Sequence, residues 1–266
     1  MRKLLLGTTA LAAAATLTAN AALADVSIAG MIEWSYNSRS SNIAASDGTT
    51  FTQDSDMQIS FSNKTDNGLD LGMTVDFDTD GGAFANDETS LSIGGGFGKI
   101  VLGYNDAAAD AFIQDESDLI QEDEGPVQAS ATVSTSSSMA LAQGDNNKIA
   151  YFLPAMGGLT AGVSHYDSGA AGASDATSMG AKYSLEAGGA AITLSYATST
   201  TDNATQDIDS STMGMKIVSG DISMIISQGT YEASGEDYDN MGASISYKMP
   251  NGMTIGAYTF NSEDDA

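Results

Sequence analysis

Residues Ser90 to Asn147 read SLSIGG, GFGKIVLGY and NDAAADAFIQDESDLIQEDEGPVQASATVSTSSSMALAQGDNN in succession. The first two pieces alternate apolar and polar residues, with Gly94, Gly95 and Gly96 between them. That is the signal of two strands joined by a tight turn. The third piece has no period of two. From Asn105 to Asn147 it carries nine acids, Asp106 through Asp145, and no lysine or arginine. A connection of that length inside a compact fold is either functional or disordered. Ala111, Phe112, Ile113, Leu119 and Ile120 give this one apolar side chains to dock with, so it is expected to fold back onto the strands and act there.

The strand pattern extends in both directions. Val26, Ile28, Ile32, Trp34 and Tyr36 alternate with Ser27, Ala29, Glu33 and Ser35. Leu69, Leu71, Met73, Val75 and Phe77 alternate with Asp70, Gly72, Thr74, Asp76 and Asp78. Successive strand side chains point to opposite faces, so each segment has one apolar face and one small or polar face. Met57–Ser62, Glu88–Gly94, Gly98–Tyr104, Lys148–Leu153, Leu159–Tyr166, Thr177–Leu185, Ala190–Ala197, Thr212–Val218, Asp221–Tyr231, Asn240–Met249 and Met253–Phe260 continue the series. The expected total is thirteen strands.

Connectors between these segments run alternately long and short. The long ones include Asn37–Asp56, the acidic stretch, Asp167–Ala176, Thr198–Ser211 and Glu232–Asp239. They hold the acids Asp47, Asp54, Asp56, Asp167, Asp175, Asp202, Asp207 and Asp209. Long loops gathered at one end are the pattern of outer-membrane barrels, with their long extracellular loops and short periplasmic turns. Trp34, Tyr36, Phe77, Tyr104, Tyr183, Tyr196 and Tyr247 lie toward the ends of apolar faces, as in an aromatic girdle. The fold class is therefore an all-β, antiparallel transmembrane β-barrel whose acidic loop dips inward and narrows the channel.

Arg2 and Lys3 precede the apolar run Leu4–Leu17, and Ala22 and Ala24 suit a small-residue cleavage site, so residues 1–24 read as a secretory signal. Residues 25–266 then form one barrel domain. There is no cysteine, which excludes disulfides and thiolate chemistry. The formal net charge of −26 repels nucleic acid and attracts cations. Clustered carboxylates can also take Ca²⁺ through oxygen, so Ca²⁺ at the acidic loops is an expectation, although no EF-hand or nonapeptide spacing names its ligands.

MQISFSNKTDNGLDLGMTVDFD, SLSIGGGFGKIVLGYNDAAADAF and NKIAYFLPAMGGLTAGVSHY together resemble the general diffusion porins of alphaproteobacterial outer membranes. In that family a glycine-aromatic hairpin, here Gly95, Phe97, Gly98 and Gly103, leads into the third loop, which dips into the pore, and it is the order and spacing of the pieces together that carry the resemblance. The resemblance runs from the signal to about Phe260. It implies a sixteen-stranded homotrimeric barrel in the outer membrane, set among lipid and lipopolysaccharide, passing small hydrophilic solutes and ions. The family usually ends on a strand with a terminal aromatic, whereas this chain stops at NSEDDA. About three strands are therefore expected to be missing, since such a barrel closes with an even number. The arginines common on the wall facing the third loop are also absent. Arg39, in the first long loop, is the only arginine after the signal.

The expected constriction acids are Asp110, Asp115, Glu116, Asp118, Glu122, Asp123 and Glu124. Lys99, Lys148, Lys182, Lys216 and Lys248 fall on the polar parity of their strands and are expected on the pore wall. Acids at a narrow point select cations, so a cation-preferring channel follows. Two other classes suit part of the pattern. An outer-membrane barrel hydrolase would need His165, the only histidine, as its base. A soluble, secreted, calcium-dependent adhesion protein would be extracted without detergent, and a porin would not.

Overall fold

The computed structural model describes residues 25–39, 48–79, 85–119, 146–169, 174–202, 207–233 and 236–264. The proposed signal, residues 1–24, lies outside them. Thirteen strands form one sheet in which each strand pairs with its neighbours in sequence. They are β1 (Asp25–Arg39), β2 (Gly48–Lys64), β3 (Asp70–Asp78), β4 (Ala85–Gly95), β5 (Gly98–Asn105), β6 (Asn146–Phe152) and β7 (Leu159–Asp167), followed by β8 (Asp175–Ala187), β9 (Ala190–Asp202), β10 (Asp207–Ser219), β11 (Ile222–Ala233), β12 (Glu236–Lys248) and β13 (Thr254–Asp264). All pairs are antiparallel. The sheet is not closed, and β1 and β13 are its edges.

The two faces follow from residue type. On β8 to β12, Tyr183, Leu194, Met215, Ile226 and Ala243 stand in one register row. Met179, Tyr196, Met213, Met224, Met241, Ile245 and Tyr247 share their face and are exposed. The other face carries Ser164, Ser178, Ser195, Ala197, Ser199, Ser210, Thr212, Ser227, Asn240 and Ser244, all buried. A soluble sheet buries its apolar face. This one shows the apolar face to the outside, as a lipid-facing wall does.

Thus Leu194→Arg, on the outer face between Tyr183 and Met215, should destabilise the barrel by about 2–4 kcal/mol if it lies near the bilayer midplane. Thr193→Arg, one residue away and facing inward, should cost much less. Loss of the heat-resistant folded band in electrophoresis reads both, and equal losses would mean that the faces are misassigned.

The strands run further than hydrophobic alternation indicates. Arg39 is the last residue of β1 and pairs with Gly48, so it does not lie in a loop. Asp54 and Asp56 belong to β2, Asp202 to β9, and Asp207 and Asp209 to β10. The expected long connectors Thr198–Ser211 and Glu232–Asp239 shrink to 203–206 and 234–235. Asp47 lies outside the described residues. Beyond the membrane neither face needs apolar residues, so hydroxyl pairs take over across the ladder. Ser199 and Ser210 Oγ atoms are 2.9 Å apart, Thr200 Oγ1 donates to Asp209 Oδ1 at 2.7 Å, and Ser211 Oγ lies 2.9 Å from Thr230 Oγ1.

The β4–β5 hairpin leads the chain into the acidic loop. Gly95 pairs with Gly98 across a turn at 96–97. Gly98 (φ 112°) and Gly103 (φ 140°) adopt backbone conformations that favour glycine, and a Cβ at either would strike a backbone carbonyl, that of Phe152 or Thr89. These are the glycines of the hairpin motif, and they let β5 lie close between β4 and β6.

Candidate pore constriction

After β5 the chain turns onto the inner face and crosses the strands. Two short 3-10 turns, Asp110–Phe112 and Glu116–Leu119, shape this segment. Its backbone is held by wall hydroxyls. Ala108 N–H donates to Ser164 Oγ (2.9 Å) and Ala109 N–H to Ser178 Oγ (3.2 Å), while these two hydroxyls lie 2.8 Å apart. Further along, Glu116 N–H donates to Ser227 Oγ (3.1 Å), and Ser227 Oγ donates to Glu116 Oε2 (2.7 Å). Lys182 Nζ donates to the Ala111 carbonyl at 2.9 Å.

An apolar core lies between loop and wall. Ala109, Phe112 and Ile113 pack with Ala197, and Phe152 borders the cluster. Val101, Ala108 and Ala150 form the adjoining cluster. The Phe112 and Phe152 rings are 6.2 Å apart, centre to centre. Of the apolar residues expected to dock, Phe112 and Ile113 are buried, Ala111 is exposed, Leu119 is half-buried, and Ile120 lies outside the described residues. Ala107, Ala108 and Ala109 are buried too, a contribution that periodicity does not reveal.

The expected constriction acids separate into three groups. Asp110 and Asp118 are half-buried on the loop. Asp115 and Glu116 are buried, Glu116 at 0 % exposure, with the Glu116 carboxylate aimed at the wall beside Gly242. Asp115 Oδ1 accepts from Ser117 N–H at 2.9 Å. Glu122, Asp123 and Glu124 lie outside the described residues.

The five lysines share the inner face, by register with Gly94 and Phe152 for Lys99, Gly103 for Lys148, Ser195 for Lys182, Ile225 for Lys216 and Thr254 for Lys248. Lys148 is buried and acts electrostatically on Asp110. Lys99 Nζ lies 5.0 Å from the centre of the Phe152 ring. Two of the five, Lys148 and Lys182, therefore serve the loop itself.

Burial pushes the Asp110 carboxyl up to about 7; Asp106 adds to the rise, and Lys148 opposes it. Its Oδ2 accepts the Ala107 N–H at 3.1 Å. The channel's charge should therefore titrate near neutrality. As pH rises through 7, Asp110 ionises and zero-current potentials should move toward cation preference, and Asp110→Asn should flatten that step. The linked stability has the sign of a raised carboxyl. It is fully present below the ordinary value of 3.8 and is lost as pH climbs through about 7.

His165 stands on the outer face, with Nδ1 3.0 Å from Thr177 Oγ1. That is a poor position for a general base. Asp175, Asp202 and Asp207 occupy matched register positions on three adjacent strands. Among the described residues, no three His, Asp or Glu side chains converge as metal ligands.

An antiparallel sheet that is apolar outside and polar inside, with a loop strapped along its inner wall, defines the class of outer-membrane β-barrel channels. Its solved relatives agree. An anion-selective porin from Comamonas acidovorans superposes with a TM-score of 0.64 at 16 % identity, covering 91 % of this chain and 80 % of that one. A porin refined at 1.8 Å gives 0.60 at 17 % identity, covering 90 % and 84 %. A mutant porin of Rh. blastica gives 0.53 at 12 % identity, covering 89 % and 94 %. At such identities the likeness shows the fold, and selectivity does not transfer with it.

No curated protein matches the chain. The Gram-negative porin family model matches residues 7–266, and the chain belongs to that family. It is an outer-membrane porin, a channel for passive diffusion and not an enzyme. The soluble adhesion reading is thereby set aside.

Proposed function

We propose that this porin prefers cations. The observation that supports the reading most is the strap of residues 106–118 laid along the inner wall, with Asp106, Asp110 and Asp118 on it and Glu122, Asp123 and Glu124 following in sequence. Lys148 lies beside Asp110 and offsets part of its charge, while Lys182, tied to a neutral carbonyl of the strap, keeps its positive charge and tempers the preference. Carboxylates at a narrow, walled point lower the energy of a passing cation more than acids in open water do. Asp115 and Glu116 then act mainly by holding the strap, while Lys99, Lys216 and Lys248 line the wall and temper the preference.

A homotrimer in the outer membrane, surrounded by lipid and lipopolysaccharide, is the assembly this reading uses. One structural neighbour, an outer-membrane protein of Vibrio cholerae, is described as a trimer form. The test of preference is the zero-current potential of the purified channel in a planar bilayer under a KCl gradient. A potential of cation sign at pH 8 supports the reading, and one of anion sign overturns it.

A further inference from the structure

The strap follows one register row of the wall. Lys182, Ser195, Gly214, Ser227 and Gly242, on β8 to β12, are successive partners across the ladder. The strap meets that row in order. Ala111 O accepts a hydrogen bond from Lys182 Nζ, Gln114 O lies over Gly214, and Glu116 reaches both Ser227 and Gly242. The ends of that row are met by side chains, that of Lys182 at Ala111 and that of Glu116 at Gly242, while the strap's backbone lies over β10 at Gln114 and over β11 at Glu116.

Two wall positions along it have no side chain. A Cβ on Gly214 would overlap the Gln114 carbonyl and come within 2.9 Å of Ser195 Oγ. A Cβ on Gly242 would overlap the Glu116 carboxylate and lie 2.6 Å from Glu116 Cγ. Neither glycine has a positive φ, so backbone conformation gives no reason for glycine there. What these positions provide is depth.

We infer that Gly214 and Gly242 set the bore of the pore: as notches in the wall they let the strap sink against the sheet, and a side chain at either lifts it into the lumen. They are specificity-determining positions for solute size, acting through the strap. The inference rests on the strap lying in the conducting path, as the channel reading holds.

Gly214→Ala meets a backbone carbonyl, which must move roughly an ångström or more to regain van der Waals distance. Gly242→Ala meets a side chain that can partly swing aside, so its effect should be smaller. In the full-length porin, Gly214→Ala should lower single-channel conductance roughly two-fold and reduce the largest sugar admitted in liposome swelling. The control is Gly94→Ala, also on the inner face, whose Cβ would make only ordinary contact with Asp70 Cβ at 3.6 Å; it should change neither readout.

Relief supplies the second arm. Adding Glu116→Ala to Gly242→Ala removes the overlapping carboxylate, so the double variant should recover the conductance of Glu116→Ala alone, which carries the same loss of the Ser227 tether. If Gly214→Ala fails to fold, this pair still decides. Conductance and sugar cut-off of the glycine variants equal to those of Gly94→Ala, or no recovery in the double variant, would overturn the inference. The sign of the wild-type zero-current potential, recorded in the same gradients, separately tests cation preference and can fail without touching the notches.

Discussion

Neutralising the acids of the strap and of the sequence that follows it should weaken cation preference several-fold while leaving conductance of the same order. The variant is Asp110→Asn and Asp118→Asn with Glu122→Gln, Asp123→Asn and Glu124→Gln, which preserves shape and removes charge. A unit charge about 8 Å from the ion path is worth about 0.5 kcal/mol even at the dielectric constant of water, a factor of about 2 in cation occupancy. Several such charges multiply. Neutralising Asp202, Asp207 and Asp209, at the exposed strand ends, should shift the zero-current potential less, because salt screens exposed charges over about 8–10 Å. That smaller shift should fade in concentrated salt. Glu116→Gln should move selectivity little, since its carboxylate faces Ser227 and Gly242. Equal shifts from the strap and the strand ends would place the strap outside the ion path.

Phe112→Ala should release the strap. Its ring fills the space over Gly162 and Gly180, where a Cβ on either glycine would lie 3.0 Å or less from it, and it packs with Ala109, Ile113, Ala197 and Phe152. Removing a buried phenylalanine side chain costs about 3–5 kcal/mol. Here the cost falls on docking and not on the ladder, whose strand pairing does not include Phe112. The folded band should therefore keep its heat resistance, while open-channel current becomes noisy and amides from Ala107 to Glu116 lose protection from hydrogen exchange. Quiet currents with unchanged protection would show that the strap is held chiefly by its hydrogen bonds to Ser164, Ser178 and Ser227.

That Asn105 to Asn147 is acidic and carries apolar docking residues is legible in the residues themselves. Where each acid points is not. Asp115 and Glu116 look the same as Asp110 and Asp118 in sequence, yet two are sealed against the wall or the loop and two are half-buried. The wall partners also left a trace that alternation alone does not interpret. Gly162 and Ser164, Ser178 and Gly180, Ser195 and Ala197, Thr212 and Gly214, Ser227 and Gly229, and Asn240 and Gly242 are pairs of small or short side chains on the inner parity of six consecutive strands. A wall facing open water has no need of such uniform smallness; one that carries a docked segment does.

The sequence by itself determined the class of fold, the number and order of strands, and which face of each is apolar. These are local properties, since a period of two within a strand and a glycine at a turn are set by residues a few positions apart. It also placed all five wall lysines on the inner parity. Strand ends beyond the apolar band escaped it, because Thr, Ser and Asp there carry no hydrophobic alternation. Only the tertiary structure decided how the acidic segment lies. The bonds that hold it join residues 56, 69 and 111 positions apart, so no local pattern encodes them. They form only once the twelve strand pairings have brought Ser164, Ser178 and Ser227 onto one wall at the spacing the strap can span.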